Sequence, residues 1–162
     1  MPPARLRDAR PQDAAALSDL AFRAKAHWGY DDAFMAACRA ELTYAPADID
    51  RAKFRVAEIG GEIAGFYALA ANPDTFGTDA LELDALFVAP DAIGRGIGAT
   101  LMRAAIEQAS GLGARRLMIQ ADPNAAGFYE HCGARQVGSL ESLSIPGRQL
   151  PLLELALAAP DD

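Results

Sequence analysis

Histidine, cysteine and lysine are scarce in this 162-residue chain, and each scarcity removes a chemistry. The only histidines, His27 and His131, stand far apart, so a multi-histidine metal site is not expected. Cys38 and Cys132 form no Cys-x-x-Cys or Cys-x-x-His pattern; they read as two reduced thiols rather than a disulfide or metal ligands. Of the fifteen basic residues only Lys25 and Lys53 are lysines, a bias that points to a GC-rich bacterial source.

Long apolar runs are missing too. No stretch approaches the roughly 18 apolar residues that cross a bilayer. Met1-Pro-Pro-Ala-Arg-Leu-Arg has no apolar signal core, so a cytoplasmic protein with no membrane partner is expected. Positive charge is in deficit. The formal net charge of −7 counts against nucleic acid as a partner, because phosphates select basic surfaces, and it suits a small cationic ligand. Apolar residues are what the chain does have: at 51% hydrophobic, residues 1–162 can bury the core of one globular domain.

Period and punctuation divide the chain. Ala4 to Arg7 reads as a first strand, and Pro11 suits the first turn of a helix burying Leu17, Leu20, Ala21 and Ala24. After His27-Trp-Gly-Tyr30 a second helix begins near Asp31, with Phe34, Cys38 and Leu42 on one face and Pro46 closing the region. Gly60-Gly61 signals a hairpin between strands at 54–59 and 62–70. Residues 72–79 read as a polar loop ahead of a central strand at 81–88. A helix to about Ser110 follows, ended by Gly111 and Gly113, and then a strand at 116–121. A short helix from Pro123-Asn124 to about Cys132 precedes two last strands, 134–144 and 150–157. The order is βααβββαβαββ, an α/β chain of the α+β type with a mixed sheet flanked by helices. A dinucleotide-binding Rossmann domain fits poorly, since its glycine loop follows the first strand and not the fourth.

The most informative segment is Leu81-Glu-Leu-Asp-Ala-Leu-Phe-Val-Ala-Pro-Asp-Ala-Ile-Gly-Arg-Gly-Ile-Gly98. An apolar strand runs into glycines 94, 96 and 98, and a helix follows at once. The first turn of a helix has N–H groups without intrahelical partners and carries the positive end of the dipole. Glycines let a phosphate approach that backbone, so this order builds a diphosphate cradle. The same glycines also serve a tight strand-to-helix turn.

Two blocks resemble the GNAT superfamily of acetyl-CoA-dependent N-acyltransferases. One is the strand, loop and helix from Leu81 to about Ser110. The other, Asp122-Pro-Asn-Ala-Ala-Gly-Phe-Tyr-Glu-His-Cys-Gly133, is similar to the family's Asn-x-x-Ala-x-x-Phe-Tyr-Glu-x-x-Gly block. The chain departs from the pattern at Ile93, where Gln or Arg is usual, and at Ala134, where Phe is common. The resemblance implies a mostly antiparallel sheet of about seven strands in one domain. It implies acetyl-CoA as cofactor, with the diphosphate on the loop Ile93, Gly94, Arg95, Gly96, Ile97, Gly98, Ala99 and Thr100. The pantetheine arm would lie along Leu86, Phe87 and Val88, with Val88 N–H polarising the thioester carbonyl. Asn124 would reach the arm with its side chain or else cap the following helix, and Phe128 would pack beside it.

The resemblance makes Tyr129 the proton donor to the coenzyme thiolate. Glu82 takes the general-base position, with Asp84 in reserve two residues on. Its acceptor segments map onto Lys25-Ala-His-Trp-Gly-Tyr30 and Ser144-Ile-Pro-Gly-Arg148. His27, Trp28 and Tyr30 then offer an aromatic wall to a cation or simply pack between helices. Arg148 either clamps a substrate carboxylate or sits on a solvated hairpin. The function implied is direct acetyl transfer to a primary amine of a small molecule, such as an amino acid or another zwitterion. A peptide or protein amine and a non-catalytic acyl-CoA sensor are the alternatives. Relatives often dimerise, and no sequence feature marks a homodimer interface.

Overall fold

Gly60 and Gly61 take φ of 60° and 85°, the left-handed pair that a two-residue hairpin needs, and join β2 (Lys53–Ile59) to β3 (Glu62–Ala70). β1 (Arg5–Asp8) pairs antiparallel with β2, from Arg5↔Glu58 to Asp8↔Arg55. These assignments come from a computed structural model that describes residues 3–158. The chain gathers into two compact units, one formed by the residues up to Ala68 with Ala85–Leu101, the other by Leu69–Asp84 with the residues from Met102 on.

In the first unit a 3-10 turn at Pro11–Asp13 leads into α1 (Ala14–Ala26), which buries Ala14, Leu17, Leu20 and Ala21. α2 (Asp32–Cys38) starts at an Asp31 cap whose Oδ1 accepts from Phe34 N–H at 2.8 Å. It ends at Cys38, so the expected helical face of Phe34, Cys38 and Leu42 is cut short; Leu42 is buried from the turn that follows. Pro46 does not close this region. It opens α3 (Pro46–Arg51), where Asp48 Oδ2 accepts Ala45 N–H at 2.7 Å, because a proline at the first helical position gives up only an N–H that had no partner. Tyr44, Phe54, Phe66 and Phe87 form a chain of ring contacts 5.4–6.2 Å apart through this unit's core. Arg7 binds both Asp13 (2.8 Å) and Glu58 (2.5 Å), tying β1 to the 3-10 turn and to β2.

In the second unit the expected polar loop contains a further helix, α4 (Pro73–Phe76), again opened by a proline. β4 (Ala80–Val88) and α5 (Ile97–Gly111) each begin in one unit and end in the other. β5 (Arg116–Gln120) runs parallel to the start of β4 over Ala80↔Arg116 to Glu82↔Met118, and antiparallel to β7 (Gln149–Ala156). α6 (Ala126–His131) begins later than expected, leaving Pro123 and Asn124 in the turn before it. β6 (Arg135–Glu141) pairs antiparallel with β7 and stops at Glu141, short of the expected 144. Arg116 fastens this unit through Asp79 (2.9 Å), the Phe76 carbonyl (2.5 Å) and Glu154 (3.1 Å).

Among the described residues the strands make one seven-stranded sheet in the order β1-β2-β3-β4-β5-β7-β6, mostly antiparallel, accompanied by six α-helices. No helix among them is long and apolar enough to cross a membrane.

Candidate active site

The glycine loop adopts the conformation its composition demands. Gly94 and Gly96 sit at φ of 88° and 76°, the left-handed region that costs other residues roughly 1–2 kcal/mol. A Cβ on either would meet no atom within 4 Å, so they are glycines for backbone conformation and leave open space above the loop. α5 starts at once. Thr100 N–H donates to Gly96 O at 3.0 Å, so it is already used; the first-turn donors left over are Ile97, Gly98 and Ala99. Ile97 is buried and pins the helix start, while Ile93 and Arg95 are exposed. An exposed Ile93 accords with a cradle built from main chain, where the side chain at that position is indifferent.

Gly65 on β3 is a residue that the sequence pattern did not bring forward. A Cβ there would lie 2.8 Å from Phe87 O, 2.9 Å from Leu101 Cδ1 and 3.1 Å from Ile97 Cγ2. Its missing side chain is what allows the start of α5 and the end of β4 to close on β3. Ala89 N–H donates to Ala64 O at 2.8 Å. Main-chain N–H groups alternate between the two edges of an extended strand, so those of Val88 and Leu86 face the edge of β4 away from β3. The Phe87 ring packs on Phe66 at 5.7 Å, so this stretch serves the core with side chains while its main chain stays directional.

Glu82 closes the short β4–β5 ladder opposite Met118 and is partly buried, with Asn72 Nδ2 at 3.5 Å from its Oε1. Burial first, and then the charge of Asp84, push the Glu82 carboxyl above its ordinary range; the Asn72 amide opposes them. Asp84 itself is exposed. Of the two carboxylates Glu82 is the partly buried one, and the charge of Asp84 acts on it.

Tyr129 lies on α6 at 6% exposure, its ring edge-on to Phe128 with centroids 5.3 Å apart. Burial, then the Cys132 and Asp122 charges, push the phenol well above its ordinary value, so it keeps its proton across the working pH range. Burial also raises the Cys132 thiol. Asn124 is no helix cap: the cap position is Ala125. Its N–H and Nδ2 both donate to Asp122 Oδ1, at 2.8 and 3.0 Å, and Asp122 O accepts from the N–H groups of Ala125 and Ala126. Asp122, unremarked in the sequence beyond its place in a motif, organises the turn that presents Asn124.

Residues 16–134, most of the chain, match the model of the acetyltransferase (GNAT) family. The chain belongs to that family. By family the chain is an acetyltransferase. It is 34% identical over 95 residues to phosphinothricin N-acetyltransferase of Alcaligenes faecalis, a match covering 56% of this chain and 48% of that protein, so about half of the relative's length is spanned. A GCN5-related N-acetyltransferase from Rhodopseudomonas palustris superposes with a TM-score of 0.76 at 25% identity, over 97% of each chain. PaiA N-acetyltransferase from Thermoplasma acidophilum, solved with coenzyme A, shares the fold at a TM-score of 0.75 and 17% identity, over 94% of this chain and 98% of its own.

The segments expected to meet an acceptor are less open than their sequence suggests. Tyr30 stacks on Phe34 at 4.0 Å, and Lys25 Nζ lies 5.6 Å and 5.9 Å from the two ring centroids. The aromatic wall expected to meet an incoming cation already holds one of the enzyme's own. His27 is exposed at the end of α1, and Trp28 is 50% exposed, so it does not pack between helices. Arg148 is no solvated hairpin residue: its side chain is 18% exposed, with Nη2 3.9 Å from Asp122 Oδ2. The first unit carries the glycine loop and residues 27–30; the second carries Glu82, Asp84, Asn124, Phe128, Tyr129 and Arg148.

Proposed function

We propose that the chain works as one catalytic domain that moves the acetyl group of acetyl-CoA directly to a primary amine of a small molecule, an amino acid or similar zwitterion being the class it suits best. The observation that carries this reading is the start of α5, where two left-handed glycines open the backbone beside the unused N–H groups of Ile97, Gly98 and Ala99. Those groups hold the coenzyme diphosphate, each charge-assisted bond contributing about 1.5–3 kcal/mol. The outward edge of β4 at Leu86 and Val88 receives the pantetheine arm, and Asn124 reaches it by its side chain.

Glu82 takes a proton from the substrate ammonium, and the freed amine attacks the thioester carbonyl carbon. Val88 N–H stabilises the oxyanion, the C–S bond breaks, and Tyr129 gives its proton to the departing thiolate; the protonated amide nitrogen gives up its extra proton to the tyrosinate, which restores the phenol. The family relative that acetylates phosphinothricin supports a small amine as acceptor.

The test is release of coenzyme thiol from acetyl-CoA across amino acids, polyamines, aminoglycosides and short peptides. A blank without acceptor removes any reaction of Cys132 with the thiol reagent. Acceptor-dependent release is expected with an amino acid or related zwitterion, falling about 10²-fold or more in Tyr129→Phe with the KM for acetyl-CoA kept. Release only with peptides would move the substrate class. Failure to bind coenzyme A would overturn the reading.

A further inference from the structure

The two carboxylate oxygens of Asp122 face different partners. Oδ1 accepts from the N–H and the Nδ2 of Asn124, at 2.8 and 3.0 Å. Oδ2 faces Arg148 Nη2 at 3.9 Å, and both side chains are mostly withdrawn from solvent, at 13% and 18% exposure. An ion pair shielded in this way escapes most of the screening that makes surface pairs weak.

Arg148 in turn closes a compact loop over residues 142–148. Its N–H donates to Ile145 O (3.2 Å) and its carbonyl accepts from Ser142 N–H (2.7 Å). Ser142 Oγ accepts from the N–H groups of Ser144 and Ile145 at 3.2 and 3.1 Å, and Glu141 Oε1 accepts Gly147 N–H at 2.9 Å. The loop is therefore held by its own backbone and by Glu141, and through Arg148 it meets Asp122, whose other oxygen holds the Asn124 turn.

We propose that Asp122 is a positioning residue that couples the coenzyme-arm turn to the acceptor loop, one carboxylate oxygen for each. The proposal rests on the function argued above, which gives Asn124 to the coenzyme and 142–148 to the acceptor. Its consequence is that the two duties separate by substitution. Asp122→Asn keeps an oxygen for the Asn124 donors and turns an amide toward Arg148; Asp122→Ala removes both attachments.

The experiment compares wild type, Asp122→Asn, Asp122→Ala and Arg148→Gln by calorimetric titration with coenzyme A, amide hydrogen exchange, and acceptor KM for the fastest amine of the panel. In Asp122→Asn, coenzyme A affinity is expected to stay within about twofold of wild type while exchange across 142–148 rises and acceptor KM climbs about tenfold. Asp122→Ala should in addition lose about tenfold in coenzyme A affinity, and Arg148→Gln combined with Asp122→Asn should cost no more than either alone, because the two act as one contact. A structural role alone would lower the melting temperature of both Asp122 variants and leave coenzyme A affinity, loop exchange and acceptor KM in place, which overturns the proposal. So would additive effects of Asp122→Asn and Arg148→Gln. Wild-type protein that binds no coenzyme A sinks the functional reading itself, whereas wild type and Asp122→Ala binding it equally well overturns only the role of Asp122.

Discussion

The base role proposed for Glu82 has a pH signature. The carboxyl is raised by burial and by Asp84, so it ionises above the ordinary carboxylate range and only then can accept a proton. The kcat/KM profile should therefore rise with pH through that elevated value. Glu82→Gln should remove this limb and lower the rate about 10²-fold or more, read from kcat/KM across pH for the fastest amine. A limb that persists in Glu82→Gln would give the proton to Asp84 or to water. Tyr129 sets no competing limb, because its pKa is pushed up and the phenol stays protonated. Glu82 and Tyr129 are candidates in the sequence because each stands at a fixed offset within its own block. Asp122 was not, because its partner Arg148 lies in a different loop and no local pattern joins them. Lys25 over Tyr30 was missed for another reason: composition shows that aromatics are present, and only packing shows whether a cation already sits on them.

At the scale of elements, the start of α5 depends on a glycine two strands before it. Gly65→Ala would place a methyl 2.8 Å from the Phe87 carbonyl, a main-chain atom that cannot swing aside, and 3.1 Å from Ile97. The expected cost is about 1–3 kcal/mol, the usual range for overpacking a tight contact. For a chain of this size that lowers the melting temperature by roughly 2–4 °C per kcal/mol. Coenzyme A affinity should fall with it, since the displaced atoms carry β4 and the first turn of α5. Gly96→Ala is the contrasting case: its Cβ meets open space but the residue sits at φ 76°, so strain alone should act, lowering affinity with a smaller thermal shift. A Gly65→Ala protein with unchanged melting and affinity would refute the packing argument. The strand, loop and helix were readable because their signals are local: an apolar run, left-handed glycines, a 3.6-residue period. α3 and α4 were not: Pro46 reads as the end of the preceding region, and Pro73 lies in a short polar stretch that reads as loop. Pro46 and Pro73 each stand at the first helical turn, where the missing N–H costs nothing.

Over the whole molecule, stability should peak on the acid side of neutrality, and two named groups should shape the curve. At neutral pH the chain carries a formal charge of −7, and self-repulsion eases as that charge is titrated away. Glu82 adds to this. Its folded pKa is raised, so the folded state binds the proton more readily than the unfolded one, and stability is lost as pH climbs from the ordinary carboxylate value through the folded one. Asp13 acts in the opposite sense. The Arg7 guanidinium, opposed by burial and helped by the Arg10 N–H, lowers its pKa; its contribution is present above the unfolded aspartate value and is lost as pH falls through the folded one. Melting temperature measured across pH in wild type, Glu82→Gln and Asp13→Asn separates the two limbs. Glu82→Gln should be more stable than wild type at neutral pH, with the gain vanishing below the ordinary glutamate range, and its rate should stay lowered, about 10²-fold or more at neutral pH. Asp13→Asn should be less stable at neutral pH and converge on wild type in acid. If Glu82→Gln gains nothing at neutral pH, the carboxylate is not held against its own stability, and the environment argued for a base is absent. Should the gain appear, the enzyme gives up stability at Glu82 in order to carry a basic carboxylate, and the acid limb of catalysis and the neutral limb of stability have one origin.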